Sequence, residues 1–331
     1  MSTPVDFGAR PPIAKRFLAL DDLSNMPAPS WLIEGMFESK SLVMLAGPSY
    51  SFKSFLLLDW LLCMACGRKW LGRQTVQSKV VYVLGEGKSS LLKRIRAWIT
   101  HNKPSDLELE AINANFRVSF EVPQLAIKSS TDNFLADLNS EGFTPDLIAV
   151  DTFARSFVGL DENDAKDTGM WVESADRLRQ LGYGVIFLHH TKKNTEFGVA
   201  YRGSTAIMGA MDTAMTLVRT EATCTLTVTK QKDHDEGSPL RFRRELVGAG
   251  EAESCVLVYA PLMDERFVAP EAPQPAPKDF YEDLVADLLK DETFETDRAR
   301  SKELSKRVGL TESAAQSKVS RMRAKLNYAV E

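Results

Sequence analysis

A lysine and a serine that follow a glycine by six and seven residues, between an apolar run and a helix, are suited to holding phosphate. The stretch here is GPSYSFKS, Gly47 to Ser54. The phosphate-loop pattern G-x-x-x-x-G-K-[ST] joins a tight turn to the N-terminus of a helix, so that backbone N–H groups surround an anion. On this reading Gly47, Pro48, Ser49, Tyr50, Ser51 and Phe52 wrap the phosphates, Lys53 reaches the β- and γ-phosphates, and Ser54 ligates Mg2+. One letter departs, because Phe52 stands where the pattern has its second glycine. Phe52 keeps its backbone N–H. Its cost is a Cβ, about 1–2 kcal/mol where positive φ is needed. A chance glycine-serine turn ahead of a core helix is the competing reading of this stretch taken alone.

Acids at two other strand ends strengthen the nucleotide reading. Asp151 closes LIAVD, and Glu86 follows VVYVLG. Asp151 suits a Mg2+ ligand acting through water. Glu86 suits a base that activates water for attack on the γ-phosphate. His189 and His190 close a further apolar strand, where one of them would sense the γ-phosphate. They are poor partners on one metal, because adjacent strand side chains point to opposite faces. The cofactors implied are ATP and Mg2+.

These residues need a scaffold that gathers strand ends. SLVMLAG (41–47), KVVYVLGEG (79–87), LIAVDTF (147–153) and GVIFLHHTKK (184–193) read as near-continuous apolar strands. Helices are expected over 51–67, 90–100 and 167–181. That alternation predicts an α/β fold with a mostly parallel sheet covered on both faces, whose strands present their C-terminal ends to one crevice. Strands at 213–219, 223–230, 240–247 and 254–260 lack intervening helices and are expected as antiparallel additions at one edge.

Composition sets outer bounds. The chain has 331 residues and a formal net charge of -4, so no polyanion-binding surface covers the whole molecule. Cys63, Cys66, Cys224 and Cys255 are too few for a disulfide scaffold, and the Cys63–Cys66 spacing falls inside an apolar helical run with no second pair to complete a zinc site. The run FLLLDWLLCMACG is short for a bilayer and is interrupted by Asp59. A cytoplasmic protein without membrane contact is expected. A proline-bearing arm (1–37) precedes a core (38–268). APEAPQPAPK marks a linker (269–278), and a small helical unit (279–331) follows.

Taken in order, WLIEG, GPSYSFKS, VVYVLGEG with RIRAW, LIAVDT, VIFLHHTKK and YRGSTAI resemble the RecA/DnaB-type ATPase core, and within it the hexameric plasmid replicative helicases of the RepA type. The resemblance spans roughly 30–265. It implies a RecA-like P-loop NTPase core, with Lys53 and Ser54 in the phosphate loop, Glu86 as catalytic glutamate and Asp151 as the Walker B aspartate. His189 is preferred over His190 as the γ-phosphate and DNA-coupling histidine. Arg94 matches an arginine near the subunit boundary, and Arg202 one supplied to the neighbouring site. VTKQKD places Lys230 on a lysine that reaches the neighbouring nucleotide, and Lys232 where arginine is usual. Lysine lacks the bidentate fork, a departure that argues against a fast motor. The loop 191–206, with Lys192, Lys193 and Arg202, would touch single-stranded DNA in a ring channel.

The C-terminal unit resembles a helix-turn-helix of the winged type. Between Arg298 and Lys325 stand nine Lys/Arg and two Glu. Leu304, Val308, Leu310, Ala314 and Val319 are expected to face inward. The helix 311–325 would present Gln316, Lys318, Arg321 and Arg323 to duplex DNA. A small helical bundle with a solvated basic face is the alternative. The combined expectation is an ATP-hydrolysing, DNA-dependent motor forming a homo-oligomeric, hexameric ring. A DNA-associated regulatory or loader-like ATPase without unwinding is the alternative, and a DNA-binding protein with a dead nucleotide fold is a third.

Overall fold

Strands that are apolar on both faces must be covered on both faces, and they are. The computed structural model describes residues 19–25, 30–191, 205–220, 223–261, 285, 287–290, 296–308 and 312–328. Lys192, Lys193, Arg202, the linker 269–278 and most of the N-terminal arm lie outside the described residues, as does the Arg321 side chain. The chain divides into two compact units, Met1–Leu262 and Met263–Glu331.

In the first unit nine strands form one sheet: β3 (Leu42–Gly47), β4 (Val80–Leu84), β5 (Phe116–Ser119), β6 (Leu147–Asp151), β7 (Gly184–His190), β8 (Thr213–Arg219), β9 (Thr223–Gln231), β10 (Leu240–Val247) and β11 (Ser254–Tyr259). Their order is β11-β10-β9-β8-β3-β7-β6-β4-β5. From β8 to β5 all pairings are parallel, and from β8 to β11 they are antiparallel. The predicted α/β class with a mostly parallel sheet is therefore the one adopted. A smaller hairpin, β1 (Trp31–Ile33) with β2 (Phe37–Glu38), precedes it.

The period of two divides the core. Val43, Leu45, Tyr82, Leu84, Ala149 and Leu188 belong to one buried cluster, with helices α2 (Lys53–Cys66) and α3 (Leu91–Asn102). Met44, Val83, Val150 and Phe187 belong to the other, with α5 (Lys128–Ser140) and α6 (Ala165–Gln180). The sheet thus fills the middle layer of three. Two more helices, α1 (Leu20–Ser24) and α4 (Asp106–Asn115), lie before and between these elements, and α7 (Thr205–Ala210) precedes β8.

Helix α2 is apolar around its whole circumference, which marks a helix enclosed on every side. It packs on β3 and β4 and also touches α4 and the edge strand β11. Its acid, Asp59, accepts hydrogen bonds from the indoles of Trp70 (2.8 Å) and Trp98 (2.7 Å), so the carboxylate that interrupts the apolar run is satisfied inside the core. Gly67, at φ 72, ends the helix with its N–H on Met64 O, and Arg68 N–H bonds Cys63 O. Cys63 and Cys66 are helical thiols, and among the described residues no cluster of metal-ligating side chains exists. No helix is long and apolar enough to cross a membrane among the described residues.

Three expectations are corrected. Strand β8 is not an antiparallel edge addition but an interior strand parallel to β3. The helix α7 ahead of it, only TAIMGA, is too short to read as a crossover from sequence. Residues 31–37, expected within an irregular arm, instead form β1 and the start of β2 and bury Leu32, Ile33, Met36 and Phe37. Finally, β5, α4 and α5 fill a stretch for which the sequence predicted no element.

In the second unit, residues 285 and 287–290 are helical, followed by α8 (Asp297–Val308) and α9 (Glu312–Tyr328). Val285, Leu288, Leu304, Ala315 and Val319 form its core. Leu304 and Val319 are buried as expected, and Ala315 joins them one residue beyond the predicted Ala314. Leu310 lies outside the described residues, and the side chains of Val308 and Ala314 do too. Gln316 and Arg323 are exposed, and Lys318 is half-buried. Arg323 pairs with Asp297 at 2.6 Å.

Candidate functional site

Because β3 and β6 are parallel strands of one sheet, Gly47 and Asp151 end on the same side of it. The chain leaves β3 at Gly47, where a Cβ would run into the Leu217 carbonyl oxygen of the neighbouring β8. It then turns through 48–52 into α2. Tyr50 (φ 65) and Phe52 (φ 66) both adopt the left-handed conformation. Phe52 is the residue that caps α2, and its carbonyl accepts from Phe55 N (3.0 Å) and Leu56 N (3.1 Å). Position 52 does need positive φ, so the pattern's glycine is replaced at a cost of about 1–2 kcal/mol. The Phe52 ring is half-buried, packing edge-on against Phe55 with centroids 5.7 Å apart.

A cleft of about 470 Å³ opens over this loop. Lys53 is 5% exposed, and its Nζ donates to Gly47 O and Pro48 O, both at 2.9 Å. Burial depresses its pKa from 10.5 to about 8, against the opposing pull of Asp151 and Glu86. The ammonium is held on backbone carbonyls of the loop that a phosphate would occupy, so a triphosphate would offer it stronger, charged acceptors. Asp151 is 2% exposed and accepts from Tyr82 Oη at 2.7 Å. Burial pushes its carboxyl pKa up, while hydrogen bonds from Tyr82 and Ser54 and the charge of Arg94 pull it down. The Ser54 hydroxyl and Asp151 carboxylate form a paired set of hard oxygen donors, which fits Mg2+.

Glu86 also lines the cleft, but it is exposed, and its Oε1 accepts from Arg155 Nε at 3.1 Å. Arg155 belongs to none of the sequence motifs that mark the site. Its counterpart in the cleft, Arg94, lies with its guanidinium 4.7 Å from the Phe55 ring centroid. Among the described residues, the buried Arg94 Nε has no acceptor.

The histidine preference is reversed by strand phase. His190 shares the face of Leu188, lines the cleft and sits 3.4 Å from Lys53 Nζ through Nδ1. His189 points to the opposite face, buried with its ring 5.2 Å from Phe153. His190, and not the expected His189, is therefore the histidine that faces the cleft. Lys230 does not face this cleft either. Its Nζ bonds Met208 O (2.8 Å) and Gly209 O (3.0 Å), closing the C-terminus of α7. Lys232 is exposed and 3.5 Å from Asp212.

Two cations were missed. Arg219 at the end of β8 and Arg244 on β10 both line the cleft. The signal lay in alternation: Met215, Leu217 and Arg219 share one phase, as do Phe242 and Arg244, and the apolar members of each set belong to the cluster around α2.

A model of the AAA domain family matches residues 9–196, more than half of the chain. No curated protein matches it. Among solved structures, the crystal structure of the RadB recombinase is similar at a TM-score of 0.44 and 14% identity, covering 62% of this chain and 87% of that chain. The matched segment carries the phosphate loop, Glu86, Asp151 and His190. The chain belongs to the AAA domain family, whose P-loop ATPases use ATP, usually with Mg2+.

Proposed function

We propose that the chain is an ATP-hydrolysing, DNA-dependent motor, a replicative helicase of the RepA type that works on single-stranded DNA as a hexameric ring. The observation that carries the ATPase part is the convergence of Lys53, Ser54 and Asp151 in one cleft. Lys53 binds and orients the β- and γ-phosphates. Ser54 and Asp151 hold Mg2+, which offsets phosphate charge when bound. Glu86 takes the proton of the attacking water, and His190, beside Lys53, bonds the γ-phosphate. Arg202, Lys230 and Lys232 are assigned to a neighbouring subunit's nucleotide, and Arg94 to the boundary between subunits. Lys192 and Lys193 are assigned to single-stranded DNA.

In the same reading a linker over 269–278 joins the core to a DNA-binding unit over 279–331. Gln316, Lys318, Arg321 and Arg323 on α9 meet duplex DNA there, with the excess of nine Lys/Arg over two Glu between Arg298 and Lys325 as support. A second reading, a DNA-associated regulatory or loader-like ATPase, is favoured by one observation. The proposed base is paired with Arg155, a contact that would restrain basal hydrolysis.

The test is ATP hydrolysis with and without single-stranded DNA across a range of protein concentration. The motor reading expects DNA stimulation and a rate per chain that rises with concentration as neighbours complete the sites. A rate indifferent to DNA sinks the motor, a flat concentration response sinks shared sites, and hydrolysis surviving Lys53→Ala sinks the assigned loop.

A further inference from the structure

The residue that breaks the phosphate-loop pattern touches a cation that the pattern does not contain. The guanidinium carbon of Arg219 lies 5.0 Å from the Phe52 ring centroid. Phe52 in turn packs on Phe55, whose ring carries Arg94 at 4.7 Å. Two adjoining aromatic rings at the start of α2 thus each hold an arginine, and all four residues line the cleft that contains Lys53.

The geometry follows from the fold. Strand β8 is parallel to β3, so its last residue arrives at the same sheet edge as the phosphate loop. Arg219 is exposed, and among the described residues no carboxylate lies within ion-pair distance of it. A glycine at position 52 would remove the ring on which the guanidinium rests. A side chain there is strained at φ 66, yet an aromatic one is present. A planar, permanently charged fork beside a phosphate loop is matched chemically to phosphate oxygens, which it bonds in pairs.

We propose that Phe52 is a positioning residue that holds Arg219 for the terminal phosphate of a nucleoside triphosphate bound in the same chain. The substitution for glycine is on this account a platform and not a defect. The inference rests on the reading of the cleft as an ATP site. The arginine comes from the chain that owns the phosphate loop, so no neighbour is needed for this contact. An aromatic platform at an exposed site contributes about 0.5–1 kcal/mol, so its removal loosens Arg219 without removing its charge.

Equilibrium titrations with a non-hydrolysable ATP analogue and with ADP test it, each with Mg2+, on the full chain. Arg219→Ala is expected to weaken the ATP analogue at least tenfold and ADP less than threefold. Phe52→Leu is expected to weaken the analogue about two- to fivefold in the native background, and not at all in the Arg219→Ala background. Equal losses for analogue and ADP, or independent losses in the double variant, overturn the proposal. Thermal melts report folding of each variant. Should Phe52→Leu fail to fold, the analogue-against-ADP split of Arg219→Ala and its partial rescue by Arg219→Lys decide alone. Lys53→Ala separates the two levels: if it abolishes binding while Arg219→Ala changes nothing, only the platform is wrong. If Lys53→Ala also changes nothing, the ATP site itself is wrong.

Discussion

Lys53 makes the phosphate loop testable by pH alone. Burial brings its pKa down to about 8, inside the range of ordinary buffers. Only the protonated amine brings charge to a phosphate, and a bound triphosphate holds that proton in place. Binding above pH 8 therefore takes up a proton. A base of pKa 8 is about 10% neutral at pH 7 and about 90% neutral at pH 9, so affinity falls about tenfold between them, or about 1.4 kcal/mol. The nucleotide-free fold behaves in the opposite sense. Its unfolded chain binds more protons between pH 8 and 10.5, so this residue adds stability as pH rises through that window. The assay is a fluorescence titration of an ATP analogue at fixed ionic strength and saturating Mg2+, repeated on Lys53→Ala. An unchanged affinity from pH 7 to pH 9, or an equally steep fall in Lys53→Ala, would refute the assignment.

Three further variants probe the acids and their partners. Glu86→Gln is expected to lower kcat by about 10²–10⁴-fold, as loss of a general base does. Arg155→Ala releases Glu86 from an exposed ion pair worth at most about 1 kcal/mol, so basal phosphate release should rise no more than about fivefold; a fall would mean that Arg155 serves the reaction directly. Asp59→Asn leaves one of two buried indole N–H groups facing a donor, at a cost of about 1–3 kcal/mol. Urea unfolding followed by tryptophan fluorescence measures that loss, and an unchanged midpoint would show that the Trp70 and Trp98 bonds contribute nothing net.

The features that sequence carried best were those with one periodicity and one environment. Apolar runs such as LIAVD and VVYVL fix buried strands, and their ends fix Asp151 and locate Glu86 beyond a strand end. The same all-apolar character hides phase. Nothing in GVIFLHH says which of its two faces meets α2, so the choice between His189 and His190 needed the sheet. Helix α4 buries no residue fully and β5 is a half-exposed edge, so neither has the apolar periodicity that marks an element. A local signal did exist at Ser105-x-x-Glu108, a capping box whose Ser105 N–H reaches Glu108 Oε2 at 2.8 Å. For Arg219 and Arg244 alternation gives the phase but not the destination. Each is an ordinary strand-end or edge cation until the sheet order brings β8 beside β3 and turns both residues toward the cleft.

The loop between β3 and α2 holds two aromatic residues in a backbone region that bulky side chains avoid. Tyr50 and Phe52 share nearly the same φ, so together they cost about 2–4 kcal/mol relative to glycines. Their surroundings differ. Tyr50 is 83% exposed and has little packing to offset its strain. Phe52 is packed against Phe55 and the large cluster around α2. An aromatic pair contributes about 0.5–1.5 kcal/mol beyond its buried area, comparable with the strain at one residue. The loop's shape is therefore imposed by what flanks it. Gly47 is pressed against β8, and α2 is enclosed by the sheet, α4 and β11. Strain that is over-determined from both sides collects at working loops. The pattern's second glycine is thus one way to relieve a conformation that the fold demands in any case. An aromatic ring is another way to occupy it, and here that ring meets an arginine.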